Sequence, residues 1–310
     1  MTLTELRYIV AVARERHFGR AAEVCFVSQP TLSVAIRKLE NELGVVLFER
    51  NPGEITVTPT GKRVVEQAQR VLEETEVITQ IAAQGQDELA GVLRLGVIYT
   101  IGPYLLPHLI PLLHHSAPRM PLQIEENYTA VLSERLKQGK LDVLILSLPF
   151  DEPGVLTEVL YEEPFVVLMP AGHPLEQKTA IAASELAQEE LLLLGPGHCF
   201  REQVLHLCPD CNRASTSSDS IQKTLEGSSL ETIRLMVATG IGVTVLPQTS
   251  VNGYPYPKDL LSTRPFVEPV PRRTVALAWR RSFPRPRAIK VLAEAVRACP
   301  LGKEVRMLAA

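Results

Sequence analysis

Residues 21–50, AAEVCFVSQPTLSVAIRKLENELGVVLFER, decide how the N-terminus folds. Ala21 and Ala22 fall in a helix over roughly 18–24, where their small side chains let another helix approach closely. Residues 25–27 make a short turn. Ser28 is placed to cap the next helix, and Pro30 is tolerated in its first turn, where amides lack intrahelical partners. Along that helix Leu32, Ala35, Ile36, Leu39 and Leu43 gather on one face. Pro30, Ser33, Arg37 and Lys38 point away, Gln29 lies at the leading end, and Gly44 ends the helix. Upstream, Leu3, Leu6, Ile9, Val10 and Ala13 give a further helix over 3–13. Two helices joined by a tight turn, the second presenting Gln, Ser and Arg outward, have the geometry of a helix-turn-helix that enters the major groove. The run VVLFERNPGEITVTPTG, 45–61, then reads as a hairpin wing around Asn51-Pro52-Gly53. Arg50 sits where a wing reaches a phosphate or the minor groove.

Charge alone does not demand this reading. Residues 1–58 hold seven Lys/Arg and seven Asp/Glu, so a three-helix unit for protein contacts would look similar. Only the placement of Arg20, Arg37, Lys38 and Arg50 argues for DNA. The whole chain of 310 residues carries a net charge of -3, and its 45% hydrophobic and 22% charged residues fit a globular protein of two or three domains. The N-terminus lacks a signal-peptide pattern, and no stretch reaches the roughly 18 apolar residues of a membrane span. The cytoplasm is therefore the expected location, with no membrane partner.

Thr58 can cap a helix that Pro59 opens. Val64, Ala68, Val71, Thr75, Ile78 and Ala82 alternate four and three residues apart, a coiled-coil seam over about three heptads. Pairing with a second chain would set two recognition helices on one palindromic site. A single amphipathic helix lying on its own domain is the alternative. Gln84 to Gly91 reads as a polar hinge.

From residue 92 strands alternate with helices. The expected strands are Leu93–Ile98, Leu122–Glu126, Leu141–Leu148, Phe165–Met169, Leu191–Leu194, Ile241–Leu246 and Thr274–Trp279. Helices are expected at 104–115, about 130–138, 199–208, about 229–239 and about 286–298. This alternation calls for an α/β domain with a largely parallel sheet. Ligands in such sheets bind beyond the carboxyl ends of strands. Thr100 and Thr129 each follow a strand and are therefore candidates to line a cleft, with a helix-cap or turn role as the plainer reading.

Five cysteines, Cys25, Cys199, Cys208, Cys211 and Cys299, are too few and too scattered for a secreted disulfide framework. Cys25 and Cys299 read as small buried hydrophobes. The segment GHCFREQVLHLC, 197–208, is different. As a helix, nine residues set the two sulfurs about half a turn and roughly 13 Å apart, too far for a disulfide without unfolding. Cys199, just after Gly195-Pro196-Gly197, falls in the first turn, where the helix dipole favours an anion, with His198 and Arg201 beside it. Cys208 falls on the apolar side. One activated thiol with a distant second one fits a sulfenic-acid mechanism. Two structural cysteines without chemistry is the plainer reading. A metal site using Cys208-x-x-Cys211 is disfavoured, because no second CxxC or HxxxH exists; no metal and no cofactor are expected.

The SQPTLS…IRKLE…LG…LFER run resembles the winged helix-turn-helix of LysR-type transcriptional regulators, and the likeness covers essentially the whole chain. It implies DNA contact through Ser28, Gln29, Pro30, Thr31, Ser33, Arg37 and Arg50. It also implies a two-lobed effector domain similar to periplasmic binding proteins. The implied division is 1–58 for DNA binding, 59–90 for the coiled-coil linker and hinge, and 91–310 for sensing. Within the last, lobe I takes about 91–162 and 267–310, and lobe II about 163–266. LLLLGPGHCFREQVLHLC, SLETIRLMVATGIGVTVLP and EPVPRRTVALAWR further resemble the peroxide-sensing branch of that family. That likeness implies that Cys199 is the peroxidatic thiol and Cys208 its resolving partner. It places Thr100, Thr129 and His198 in a peroxide pocket and makes Arg273 the candidate to stabilise the thiolate. Pro196-Gly197 stands where an acidic residue is common in relatives, and Cys211 is an addition that leaves open which thiol resolves.

The expectation is a regulator, not an enzyme, that binds promoter DNA as a homodimer or homotetramer. Hydrogen peroxide and a cellular thiol reductant are its chemical partners, and RNA polymerase is left open. The rivals are a LysR regulator with an ordinary small-molecule inducer in the inter-lobe cleft, and a thiol peroxidase that would not need residues 1–58.

Overall fold

The computed structural model describes residues 1–51, 54–84, 87–208, 227, 229–252 and 260–308. The chain forms two compact units, one built on residues 1–85 and one on 86–310, apart from residues 137–139, which group with the first.

The N-terminal unit opens with α1 (Leu3–Glu15), capped by a reciprocal pair in which Thr2 accepts from the Glu5 amide and Glu5 accepts from the Thr2 amide. Helices α2 (Phe18–Val24) and α3 (Gln29–Leu43) follow, joined by a turn in which Phe26 adopts a left-handed φ of 56°. Ser28 caps α3 by accepting from the Thr31 amide at 3.3 Å, and Gly44 ends it at φ 68°. Leu32, Ile36 and Leu39 are fully buried, each stabilising the unit by roughly 1.5–3 kcal/mol relative to exposure. Leu43, expected on the same face, is instead exposed in the last turn of the helix. The wing is an antiparallel hairpin of β1 (Phe48–Asn51) and β2 (Glu54–Val57). Glu40 braces it, accepting from the Leu47 and Phe48 amides.

Helix α4 (Pro59–Gln84) starts where Thr58 accepts from the Gly61 amide at 2.8 Å. Val64, Val65, Ala68 and Leu72 pack into the N-terminal core. The first part of the expected seam is thus used within the unit itself. Val71 and Ile78 remain exposed, and Ala82 lies outside the residues whose side chains are described.

In the C-terminal unit, β3 (Leu93–Ile98) pairs in parallel with β4 (Leu122–Asn127) and β5 (Val143–Ser147). Helices α5 (Gly102–Ser116) and α6 (Thr129–Lys137) are the crossovers. The remaining ladders between the described strands are antiparallel, which corrects the expectation of a largely parallel sheet: β9 (Arg272–Arg280) returns between β5 and β6 (Val155–Pro170). At 16 residues, β6 is long enough to serve two sheets. Val155–Pro164 pairs with β9, and Phe165–Pro170 pairs with β7 (Thr244–Pro247) and β8 (Leu261–Pro265). A short β10 (Arg306–Met307) adds to its first half. The strand expected at Leu191–Leu194 is reduced to isolated bridges at its two ends, Leu191 to Val243 and Leu194 to Gly227.

Two apolar cores result. One lies around β3, β5, β9 and α9 (Pro286–Arg297), the other around the second half of β6, α7 (Cys199–Leu207) and α8 (Leu230–Ala238). Arg285, almost fully buried, donates to the Glu88, Gly91 and Val92 carbonyls and so ties the start of this unit to α9.

Candidate functional site

On α3, Gln29, Pro30, Thr31 and Arg37 are exposed and Ser33 is half-buried. The Ser28 hydroxyl bonds the Thr31 hydroxyl at 2.7 Å, so it positions the helix start as well as facing solvent. Lys38 lies 3.7 Å from Glu5. Arg50 is on β1 opposite Ile55, and its side chain lies outside what is described. Val34, to which sequence reading assigned no role, is exposed among these polar groups, an apolar contact of the type that thymine methyls accept.

In the C-terminal unit, Cys199 is the first residue of α7, with His198 at the N-cap position. It shares a cleft with Ile98, Tyr99, Thr100, Asn127, Tyr128, Thr129, Gly197 and His198. Four sequence-derived candidates, Thr100, Thr129, His198 and Cys199, are therefore brought together. The cleft's walls come from the ends of β3 and β4 and from the turn into α7. Three rings close it: His198 lies 4.7 Å from Tyr128 and 5.8 Å from Tyr99, and the tyrosines are 5.4 Å apart, edge to face. Gly197 makes this possible. Its φ is 96°, and a Cβ there would stand 3.2 Å from the Tyr128 ring. The cleft is small, with room for about one water-sized molecule.

Neither threonine is a helix cap. Thr129 Oγ1 is buried without a hydrogen-bond partner among the described residues. Thr100 Oγ1 accepts from Arg273 Nη1 at 2.8 Å, and its carbonyl accepts from Nη2 at 2.9 Å. Arg273 itself does not line the cleft. Its remaining donors go to Glu163, an ion pair at 2.8 Å with both side chains fully buried, and its guanidinium lies 5.4 Å from the Phe200 ring. Glu126, close over Gly102, carries a buried Oε1 without a partner among the described residues, and burial pushes its carboxyl pKa up.

The far end of α7 is unlike its start. Cys208 is 2% exposed, in the apolar core with Phe200 and Val204, whereas Cys199 packs partly against the other core. Cys199, Cys25 and Cys299 are free thiols, and Cys208 is in a disulfide, which is therefore not to Cys199. Cys211 lies outside the described residues. Burial raises the pKa of Cys25, and that of Cys299 to about 11. Among the described residues there is no metal-ligand cluster and no helix long and apolar enough to cross a membrane.

Sequence reasoning missed Tyr99, Asn127 and Tyr128, although both tyrosines adjoin a threonine it chose. It also missed Gln203, which donates from α7 to the Ser147 hydroxyl and the Leu148 carbonyl. Glu163, the second of two adjacent glutamates ahead of the apolar run 165–169, was a visible signal.

Residues 3–62 match the bacterial regulatory helix-turn-helix protein family, lysR type, and residues 86–299 match the LysR substrate binding domain. The DNA-binding transcriptional dual regulator OxyR of Escherichia coli is 40% identical over 298 residues, 96% of this chain and 95% of the relative. A full-length Pseudomonas aeruginosa OxyR with a cysteine-to-aspartate change is similar at TM-score 0.70 and 55% identity, covering 98% of this chain and all of that one. A peroxide-bound cysteine-to-serine mutant of Corynebacterium glutamicum OxyR aligns at TM-score 0.62 and 31% identity, covering 96% and 91%.

Proposed function

Because the chain belongs to the LysR-type transcriptional regulators, in their OxyR branch, we propose that it senses hydrogen peroxide at Cys199 and converts the oxidation into altered promoter binding. The observation that carries this is the placement of a free Cys199 thiol in a small cleft with two threonines and a histidine at one end of α7, with Cys208 buried in apolar core at the other. A cleft of this size suits peroxide better than a metabolite, which disfavours the ordinary-inducer reading.

The Cys199 thiolate attacks one peroxide oxygen, the O–O bond breaks, and the departing hydroxide takes a proton, leaving a sulfenic acid. A Cys208 thiol then attacks that sulfur; an S–S bond forms, the S–O bond breaks and water leaves. For this Cys208 must be reduced, which requires two electrons from a cellular thiol reductant to open its present disulfide. Closure needs α7 to unwind, since roughly 13 Å separates its ends and a disulfide spans no more than about 7 Å. Thr100, Thr129 and His198 form the peroxide pocket, and Arg273 acts on it through Thr100.

In the DNA-binding unit, Ser28, Gln29, Pro30, Thr31, Ser33, Arg37 and Arg50 contact promoter DNA. The exposed Val71 and Ile78 of α4 support pairing of two chains, as a homodimer or within a homotetramer, in the cytoplasm.

The test is to reduce the protein, add stoichiometric peroxide, map the thiols by mass spectrometry and measure operator binding in both states. A Cys199–Cys208 link with altered binding is expected; its absence, with Cys199 unoxidised, overturns the reading. Omitting the initial reduction should suppress the link.

A further inference from the structure

The two threonines of the cleft differ in one respect: Thr100 is held by a buried chain of hydrogen bonds and Thr129 is not. Arg273 Nη1 donates to Thr100 Oγ1, which fills an acceptor position on that hydroxyl. The hydroxyl proton has no acceptor among the hydrogen bonds described, and the residue lines the cleft beside Cys199. Arg273 is in turn oriented by Glu163, whose Oε1 accepts from Nε at 2.8 Å. Glu163 Oε2 accepts from the Thr249 amide at 2.9 Å and from its hydroxyl at 2.6 Å. Thr100, Glu163, Thr249 and Arg273 are 2%, 0%, 5% and 2% exposed. Water therefore does not compete for these bonds, and the low dielectric strengthens them. The chain runs from the loop after β7, through the middle of β6 and the start of β9, to the loop after β3.

We propose that Glu163 is a positioning residue for the peroxide reaction: acting through Arg273, it fixes the Thr100 hydroxyl as a hydrogen-bond donor into the Cys199 cleft. An amide at position 163 would remove the charge that orders the guanidinium. The Thr100 hydroxyl would then be free to turn its proton elsewhere, and a peroxide oxygen would lose a fixed donor as negative charge grows on it. Thr249 sets the carboxylate and is the next link out.

The inference rests on the peroxide reading, and the two fail differently. In the reduced full-length wild type, peroxide oxidation of Cys199 must be observed; if it is not, the reading itself falls. Given that reaction, Glu163→Gln should lower the second-order constant for peroxide by about tenfold, the worth of one well-placed hydrogen bond. The constant for iodoacetamide, a neutral electrophile that reports thiol access and ionisation, should stay within about twofold across the pH profile. A merely structural role would move both constants together, and that result overturns the proposal. Thr100→Val should match the single loss, and adding Glu163→Gln to it should cost nothing more; multiplied losses would place Glu163 outside this chain. Thr249→Val, which removes one of three bonds to Glu163 and nearly keeps the shape, covers the case in which the first variant does not fold. It should give a peroxide-selective loss of about threefold; a folded variant with an unchanged peroxide constant overturns the proposal.

Discussion

The two ends of α7 face different surroundings. At its start, Cys199 stands in a cleft of hydroxyls, an imidazole and two phenol rings that solvent reaches. At its end, Cys208 is enclosed by aliphatic and aromatic side chains of the second core. The difference separates access from resolution: the thiol that an oxidant can reach is held away from the one that would complete the bond. Nine residues of ordinary helix do the holding.

The largest test of that asymmetry is to remove one end. Cys199→Ser should abolish peroxide-dependent change in operator binding, read by electrophoretic shift, while Cys208→Ser should still consume peroxide and stop at the sulfenic acid, trapped by dimedone. Loosening the helix sharpens the contrast. Val204→Ala, at a position 3% exposed, should cost about 2 kcal/mol of stability. In stopped-flow it should speed disulfide closure and leave the first peroxide step unchanged. Gly197→Ala acts on the open end instead. Forcing a side chain onto φ 96° and against Tyr128 should cost about 1–2 kcal/mol and slow the peroxide step without speeding closure.

Thiol labelling gives a smaller, graded readout. With its pKa raised to about 11 by burial, Cys299 should resist iodoacetamide at neutral pH in the folded protein while Cys199 reacts, as peptide mapping will show. The smallest effect concerns Glu126. Its folded pKa lies above the ordinary 4.5, so the folded state holds the proton more tightly than the unfolded one. That contribution is present below about pH 4.5 and is lost as pH rises through the raised value. Glu126→Gln should therefore flatten the fall of Tm with pH above 4.5.

Much of this was legible in the chain, for reasons that differ by region. Ser28, Gly44 and the Leu32–Ile36–Leu39 face are local signals, and helix caps and periodicity act over a few residues. Cys199 and Cys208 were legible because a helix converts sequence spacing into distance. Leu43 and the Leu191–Leu194 strand misled, since their state depends on which neighbours arrive from far along the chain. Arg273 was singled out for the pocket, yet it lies off the cleft, and its contacts with Glu163 and Thr100 span 110 and 173 residues, a reach no spacing rule supplies. The antiparallel return of β9 is likewise a matter of topology.

The long strand β6 has a consequence for how the sensing unit melts. Its first half completes one sheet and its second half completes the other, with no break in the backbone between them. Neither lobe owns a full set of strands without it. Heat or urea should therefore unfold both lobes in one cooperative transition, with coincident fluorescence and circular-dichroism midpoints, although the chain packs two separate cores there.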